Sequence, residues 1–235
     1  MRVHVLALTI ISLLVADSIG AQQTFSVPDR APLRVSRYAE VTAGDRITIT
    51  AREWARNGGL LLRSESSTAE RHTILVDQRL HTVGWRYESP VQDTLVEARR
   101  TADGSVRLLG EVEGELVDEV IRLNDEPWIQ SIERSFESLA LSGSRGERLL
   151  FSVVQPDTLS ARTLQAQVMG DETIEVDGAD VDVRRIRISL PGLGALFWRS
   201  DYWFRLSDGL FVKSDVTRGP PGTPATIVTL LEADW

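Results

Sequence analysis

The chain has no cysteine. That absence excludes disulfides, thiolate metal sites, cysteine catalysis and the lipid-modified cysteine of a bacterial lipoprotein. Lysine is nearly missing too: Lys213 stands alone among 26 basic residues, the rest arginine. With 34 acidic residues and a net charge of −8, the balance argues against nucleic acid and against electrostatic docking on an anionic membrane. Past the first residues, no apolar run is long enough to span a bilayer. No phosphate-cradling glycine loop and no nucleophile elbow occurs. The nearest approach, Ser142-Gly143-Ser144-Arg145-Gly146, lacks the leading glycine and follows a helical pattern instead of a buried strand.

What is present begins with a leader. Met1-Arg2-Val3-His4 is followed by an apolar stretch from Val5 to Ala16 and by Asp17-Ser18-Ile19-Gly20-Ala21. A basic start, a short apolar run and small residues at its end predict a cleavable secretory signal over 1–21, and hence a periplasmic or secreted protein. Residues 22–35 carry two prolines and no clear period, and read as an N-terminal arm. Residues 36–235 show no linker and read as one domain. Without disulfides that domain must be held by its core alone.

From Ser36 the chain is a succession of short alternating segments separated by turns. In 45–54, Ile47, Ile49 and Ala51 share one face, and Arg52 and Trp54 the other. Asn57-Gly58, Asp103-Gly104, Glu113-Gly114, Asp177-Gly178 and Asp208-Gly209 read as tight hairpin turns. Strands are expected over 60–66, 71–78, 80–89, 94–101, 105–112, 115–123, 147–154, 162–169, 172–176, 180–190 and 225–232. In 180–190 the apolar parity switches at Arg184-Arg185, which predicts a β-bulge there. Residues 197–217 predict an aromatic-rich hairpin, with Tyr202, Phe204 and Leu206 on one face and Trp203 and Arg205 on the other. On its second arm Leu210, Val212 and Val216 face away from Phe211, Lys213 and Asp215. One stretch breaks the pattern: over 126–141, Trp128, Ile129, Ile132, Phe136 and Leu139 recur at helical spacing behind Pro127. The expected fold is therefore all-β, or β-dominated α+β: a curved antiparallel sheet forming an incomplete barrel around one amphipathic helix.

Candidate chemistry is sparse. His72 and His81 fall on successive strands, and a metal site there would need a third ligand such as Asp77 or Glu70. Asp180 and Asp182 share a strand face and could pair as acid and base, but with 34 acidic residues such neighbours are expected by chance and a solvated strand face is the reading preferred. Neither pattern predicts an enzyme, a metal or a cofactor. The aromatics are the remaining oddity. Trp54, Trp85, Tyr87, Trp128, Trp198, Tyr202, Trp203 and Phe204, with Ile132 and Phe136 of the helix, are candidates for lining an apolar cavity; core packing is the competing reading.

The tract from Gly170 to Leu190, followed by that from Ser200 to Val216, resembles a family of secreted bacterial β-rich proteins of unknown function. The resemblance rests on Gly170, Glu172, Ile174, Val176 and Gly178, then on Tyr202-Trp203 and on Gly209 to Lys213. It implies a fold similar to the LolA/LolB lipoprotein carriers, an incomplete barrel closed by helices, and brings no catalytic residue with it. On that resemblance the expected function is non-enzymatic binding or carrying of an apolar small molecule, a lipid or a lipidated partner. The alternative is an interaction or assembly factor of the cell envelope with a filled barrel.

Overall fold

A computed structural model describes residues 24–156, 158–196, 198–217 and 223–234. The predicted signal segment, Phe197 and most of the proline-rich loop at 219–224 lie outside the described residues. The strands are β1 (Arg34–Thr42), β2 (Asp45–Arg56), β3 (Gly59–Ser66), β4 (Arg71–Asp77), β5 (Thr82–Ser89), β6 (Thr94–Arg100), β7 (Val106–Val112) and β8 (Glu115–Ile121). Two short helices follow, α1 (Ile132–Ser135) and α2 (Glu137–Ser142). Then come β9 (Arg148–Val154), β10 (Ala161–Val176), β11 (Ala179–Ser189), β12 (Arg199–Arg205), β13 (Phe211–Thr217) and β14 (Ala225–Asp234).

Among the described residues all the strands join one 14-stranded antiparallel sheet in the order β8-β7-β6-β5-β4-β3-β2-β1-β14-β13-β12-β11-β10-β9. Every neighbour is a sequence neighbour except β1 and β14, which pair in the middle of the sheet from Val35↔Asp234 to Thr42↔Thr226. The sheet does not close: β8 and β9 are its two edges, and the segment between them crosses the hollow. The fold is an open β-barrel-like one, as the strand rhythm predicts.

Local chemistry explains where the chain turns. Ala43-Gly44, Glu113-Gly114 and Asp177-Gly178 have positive φ at both central positions, the condition for a two-residue turn that matches strand twist. At Asn57-Gly58 and Asp103-Gly104 only the glycine has positive φ, and the latter is a three-residue loop closed by the Thr101 N–H donating to the Ser105 carbonyl at 2.9 Å. Asp208-Gly209 also differs from expectation. Only Gly209 has positive φ, and the loop widens so that the Arg205 N–H donates to the Leu210 carbonyl at 2.8 Å. The Asp208 carboxylate instead accepts from the Leu210 N–H at 3.1 Å and from the Arg205 guanidinium at 3.0 Å. The register then shifts, with Trp203 opposite Lys213 but Phe204 opposite Phe211. The extra residue, Val212, turns Phe211 onto the same side as Tyr202 and Phe204, against the simple alternation of the sequence.

Two further expectations are corrected. The segments expected at 162–169 and 172–176 form one continuous strand, β10, and the bulge lies there rather than in β11. Val168 faces Ile186 and Gly170 faces Arg185, leaving Met169 unpaired. The long helix over 126–141 is not formed at its start. Residues 127–129 are extended against β9: Ser152 N–H donates to the Pro127 carbonyl and Ile129 N–H to the Ser152 carbonyl, both at 2.9 Å. On the other side Thr82 N–H donates to the Trp128 carbonyl at 2.8 Å. Backbone groups committed to two strands cannot close helical turns, so helix begins only at Ile132.

Side chains join the sheet where its backbone does not. Trp128, with no exposed surface, packs with Val154 and Leu159 against Trp85, Val96 and Leu108, filling the space between the two edges. A second core gathers Phe136, Phe151, Ile186, Ile188, Phe204 and Phe211 under the helices. A third, small cluster of Trp54, Leu61 and Leu75 lies on the outer face, covered by Phe25 of the arm. The arm is fixed there by hydrogen bonds from Trp54 Nε1–H to the Arg30 carbonyl (3.0 Å) and from the Arg56 guanidinium to the Thr24 and Ser26 carbonyls (2.7 and 2.9 Å).

Candidate functional site

The concave face is not packed solid. A cavity of about 320 Å³ lies beneath residues 130–137, between β1–β4 on one side and β12–β14 on the other. Its apolar wall is built by inward-facing side chains of neighbouring strands, among them Ile47, Ile49, Ile74, Phe211, Val216 and Val228. A volume of this size is at the small end of the range for ligand sites.

Its roof is ionic. Arg34 bonds Glu137 and lies 3.3 Å from Glu53; Arg134 reaches Glu53 at 3.1 Å and Glu137 at 2.5 Å. The four side chains alternate in sign and are 23% exposed at most. Burial pushes the Glu137 carboxyl up, against the hydrogen bond from Arg34 and the charge of Arg134. Burial works to lower Arg34, but its bond to Glu137 and the charges of Glu53 and Glu137 hold it above the ordinary arginine value. Tyr38, on the cavity wall, has its phenol pushed well up by burial.

His72 is in the wall as well. Its Nδ1 faces the Trp85 indole Nε1 at 3.2 Å and its Nε2 faces Glu70 Oε1 at 3.2 Å. An indole N–H can only donate, so Nδ1 is the acceptor and the ring proton sits on Nε2, directed at Glu70. Both nitrogens are engaged, leaving neither to activate a nucleophile or ligate a metal. His81 lies beyond the opposite end of β4, so the two histidines do not converge. Among the described residues no group of three or more His, Cys, Asp or Glu side chains is placed to hold a metal ion. Asp180 and Asp182 lie on the solvent-exposed part of β11, and Asp182 accepts a 2.8 Å hydrogen bond from Thr173.

The aromatic candidates are distributed over the whole molecule. Tyr202 lines the cavity. Trp85, Trp128, Phe136 and Phe204 are fully buried in the cores, Tyr87 is nearly so, and Ile132 packs against the core. Trp54 is on the outer face beneath the arm. Trp198 donates to the Thr217 carbonyl at 2.8 Å, and Trp203 donates to Glu172 at 2.5 Å with Lys213 Nζ 5.6 Å from its ring. The isoleucines and the four-membered ionic roof were not singled out from sequence. The alternation of Ile47 and Ile49 and the i,i+3 spacing of Arg134 and Glu137 were signals of both.

No protein-family model matches the chain, and a search of curated proteins also finds no match. Solved structures do match. A β-barrel-like protein of the domain of unknown function DUF1849 from Brucella abortus aligns over 87% of this chain and 98% of its own, at 10% identity and a TM-score of 0.60. The fold is of that kind. A hypothetical lipoprotein, YmcC from Escherichia coli, aligns over 84% of each chain at 13% identity and a TM-score of 0.45. The DUF1849-like fold thus accounts for the open sheet and leaves the contents of the hollow to this chain's own residues.

Proposed function

We propose that the protein is a non-enzymatic, exported component of the cell envelope that binds an apolar or amphipathic ligand, such as a lipid or a lipidated partner, in the hollow of its open barrel. The observation that carries this reading is the cavity of about 320 Å³, with isoleucine and aromatic side chains on its wall and a hydrogen-bonding ionic roof at one end. Such a lining suits a molecule with an apolar body and a polar end. The engagement of both His72 nitrogens favours binding over catalysis.

Native mass spectrometry of protein purified from a bacterial periplasm, with solvent extraction of any adduct, tests the proposal. A discrete adduct that extracts as an apolar molecule, and is lost when Ile49→Trp fills the cavity, is the expected result. A clean apo mass that stays unchanged on incubation with phospholipid and fatty acid overturns it.

A second reading, an envelope interaction factor, is favoured by β8. That strand is a sheet edge, and Leu116 and Val120 on it are 89% and 62% exposed. Exposed edges of this kind accept a further strand. Crosslinking from position 116 in cells should capture a discrete partner if this reading holds.

A further inference from the structure

The outer face of β2–β6 carries a feature that the hollow does not use. Cross-strand register places Arg52 of β2 opposite Arg63 of β3, and Arg63 opposite Thr73, which in turn faces Arg86. Arg71 and Arg99 flank this row. An open groove of about 560 Å³ runs here between the arm at Thr24–Val27 and the sheet, lined by Arg63, Arg71, Arg86 and Arg99.

Carboxylates account for part of this charge. Arg71 bonds Glu65 at 2.8 Å and Glu88 at 2.9 Å. Arg86 bonds Glu88 at 2.8 Å and Glu97 at 2.7 Å, and Arg99 lies 3.8 Å from Glu97. Arg52 and Arg63 are different: among the described residues neither lies within ion-pair distance of a carboxylate. Five guanidinium groups thus stand among three carboxylates, leaving an excess of two positive charges on a molecule whose net charge is −8. Like charges directly opposite on paired strands are destabilising. Burial lowers the Arg63 pKa, the charges of Arg71 and Arg52 lower it further, and Glu65 and Glu88 oppose them from beyond bonding distance. The Arg71 Nε is buried with no hydrogen-bond partner. The groove therefore offers uncompensated charge and open space together.

We propose that this groove is a binding site for a phosphate group, carried either by free phosphate or by a phosphomonoester lipid headgroup, with Arg63 as its principal ligand. A phosphomonoester carries close to two negative charges at neutral pH and three acceptor oxygens, which suit the Arg63 guanidinium fork and the excess positive charge around it. Strand alternation sends these arginine side chains to the face opposite the isoleucines that line the hollow.

The test compares wild type with Arg63→Gln, at ionic strength held constant with chloride. Calorimetric titration uses sodium phosphate; sedimentation uses phosphatidylcholine vesicles with and without phosphatidic acid. Phosphate should bind wild type and bind Arg63→Gln at least about tenfold more weakly, since one charge-assisted interaction is removed. In phosphate-free buffer the variant should melt no lower than wild type, because it removes a cation that has no partner. Binding only to vesicles that contain phosphatidic acid, lost in Arg63→Gln, supports the proposal with the headgroup as the source. Equal phosphate affinity in both proteins, or no binding of either probe by a wild type that melts normally, overturns it.

Discussion

At the scale of single residues, the ionic roof decides how the helices are held to the sheet. Arg34 comes from β1, Glu53 from β2, and Arg134 and Glu137 from the helices. Replacing one member leaves a buried charge without its counterpart, which costs far more than the intact network contributes. Arg34→Met should lose about 3–5 kcal/mol, measured by urea unfolding at neutral pH. The loss should depend on pH with a definite sign. Burial holds the folded Glu137 carboxyl above its ordinary value of 4.5, so the folded state takes up its proton more readily than the unfolded chain does. Stability from this group therefore falls as pH rises through that window. Arg34→Met removes the opposing hydrogen bond, so its deficit should shrink toward pH 4.5. A deficit constant with pH would mean that packing, not charge, is what Arg34 supplies.

At the scale of elements, the crossover and the hairpin turns carry the specificity. Trp128→Ala would empty the space between β8 and β9 and should cost about 3–5 kcal/mol, read as a lower urea midpoint. Gly110 in β7 has φ of +153°, and a Cβ there would lie 2.0 Å from the Leu95 carbonyl oxygen. That oxygen belongs to the paired strand and cannot swing away. Gly110→Ala should therefore destabilise by about 2 kcal/mol or more, with hydrogen exchange raised first in β6–β8.

These elements also show what the sequence discloses. Strand positions are legible because alternation over 45–54 or 80–89 reports a buried face directly. The start of the helix is not: Trp128 and Ile129 have helical spacing with Ile132, and only the presence of β9 and β5 on either side draws their backbone into pairing. The Phe211 orientation is hidden for a similar reason, since a one-residue bulge flips parity without altering composition. The candidate site was legible in part. Ile47 and Ile49 could be assigned to an inner face, but not to a cavity, because emptiness depends on side chains from seven strands and a crossover. The aromatics mislead in this respect, since large rings fill space efficiently and most of these do so in the cores.

At the scale of the whole molecule, acid should unfold the protein. Hydrogen bonds from arginines hold Asp171 and Asp118 below the ordinary aspartate value of 3.8. The bonds from Arg205 and the Leu210 N–H likewise overcome burial at Asp208. A carboxylate depressed in the folded state contributes stability above its unfolded pKa, and that stability is lost as pH falls through the folded value. Glu137 acts in the opposite sense but alone among the carboxyls whose shifts are resolved. The melting temperature, followed by circular dichroism, should therefore decline steadily below about pH 4.

The pairing of β1 with β14 has a kinetic consequence. These strands are the first and last of the sheet in sequence yet adjacent at its centre; the Arg37–Glu232 ion pair spans 195 residues at 2.7 Å. Each half can fold as a run of hairpins, but the seam between them must wait for the closure of nearly the whole chain, during which β1 presents a bare central edge. A circular permutant that links β14 to β1 and opens the chain just after β8 would have the same sheet, with strand order now equal to chain order. It should refold faster than the natural arrangement in stopped-flow dilution from urea, since every strand would then pair only with its immediate predecessor and successor.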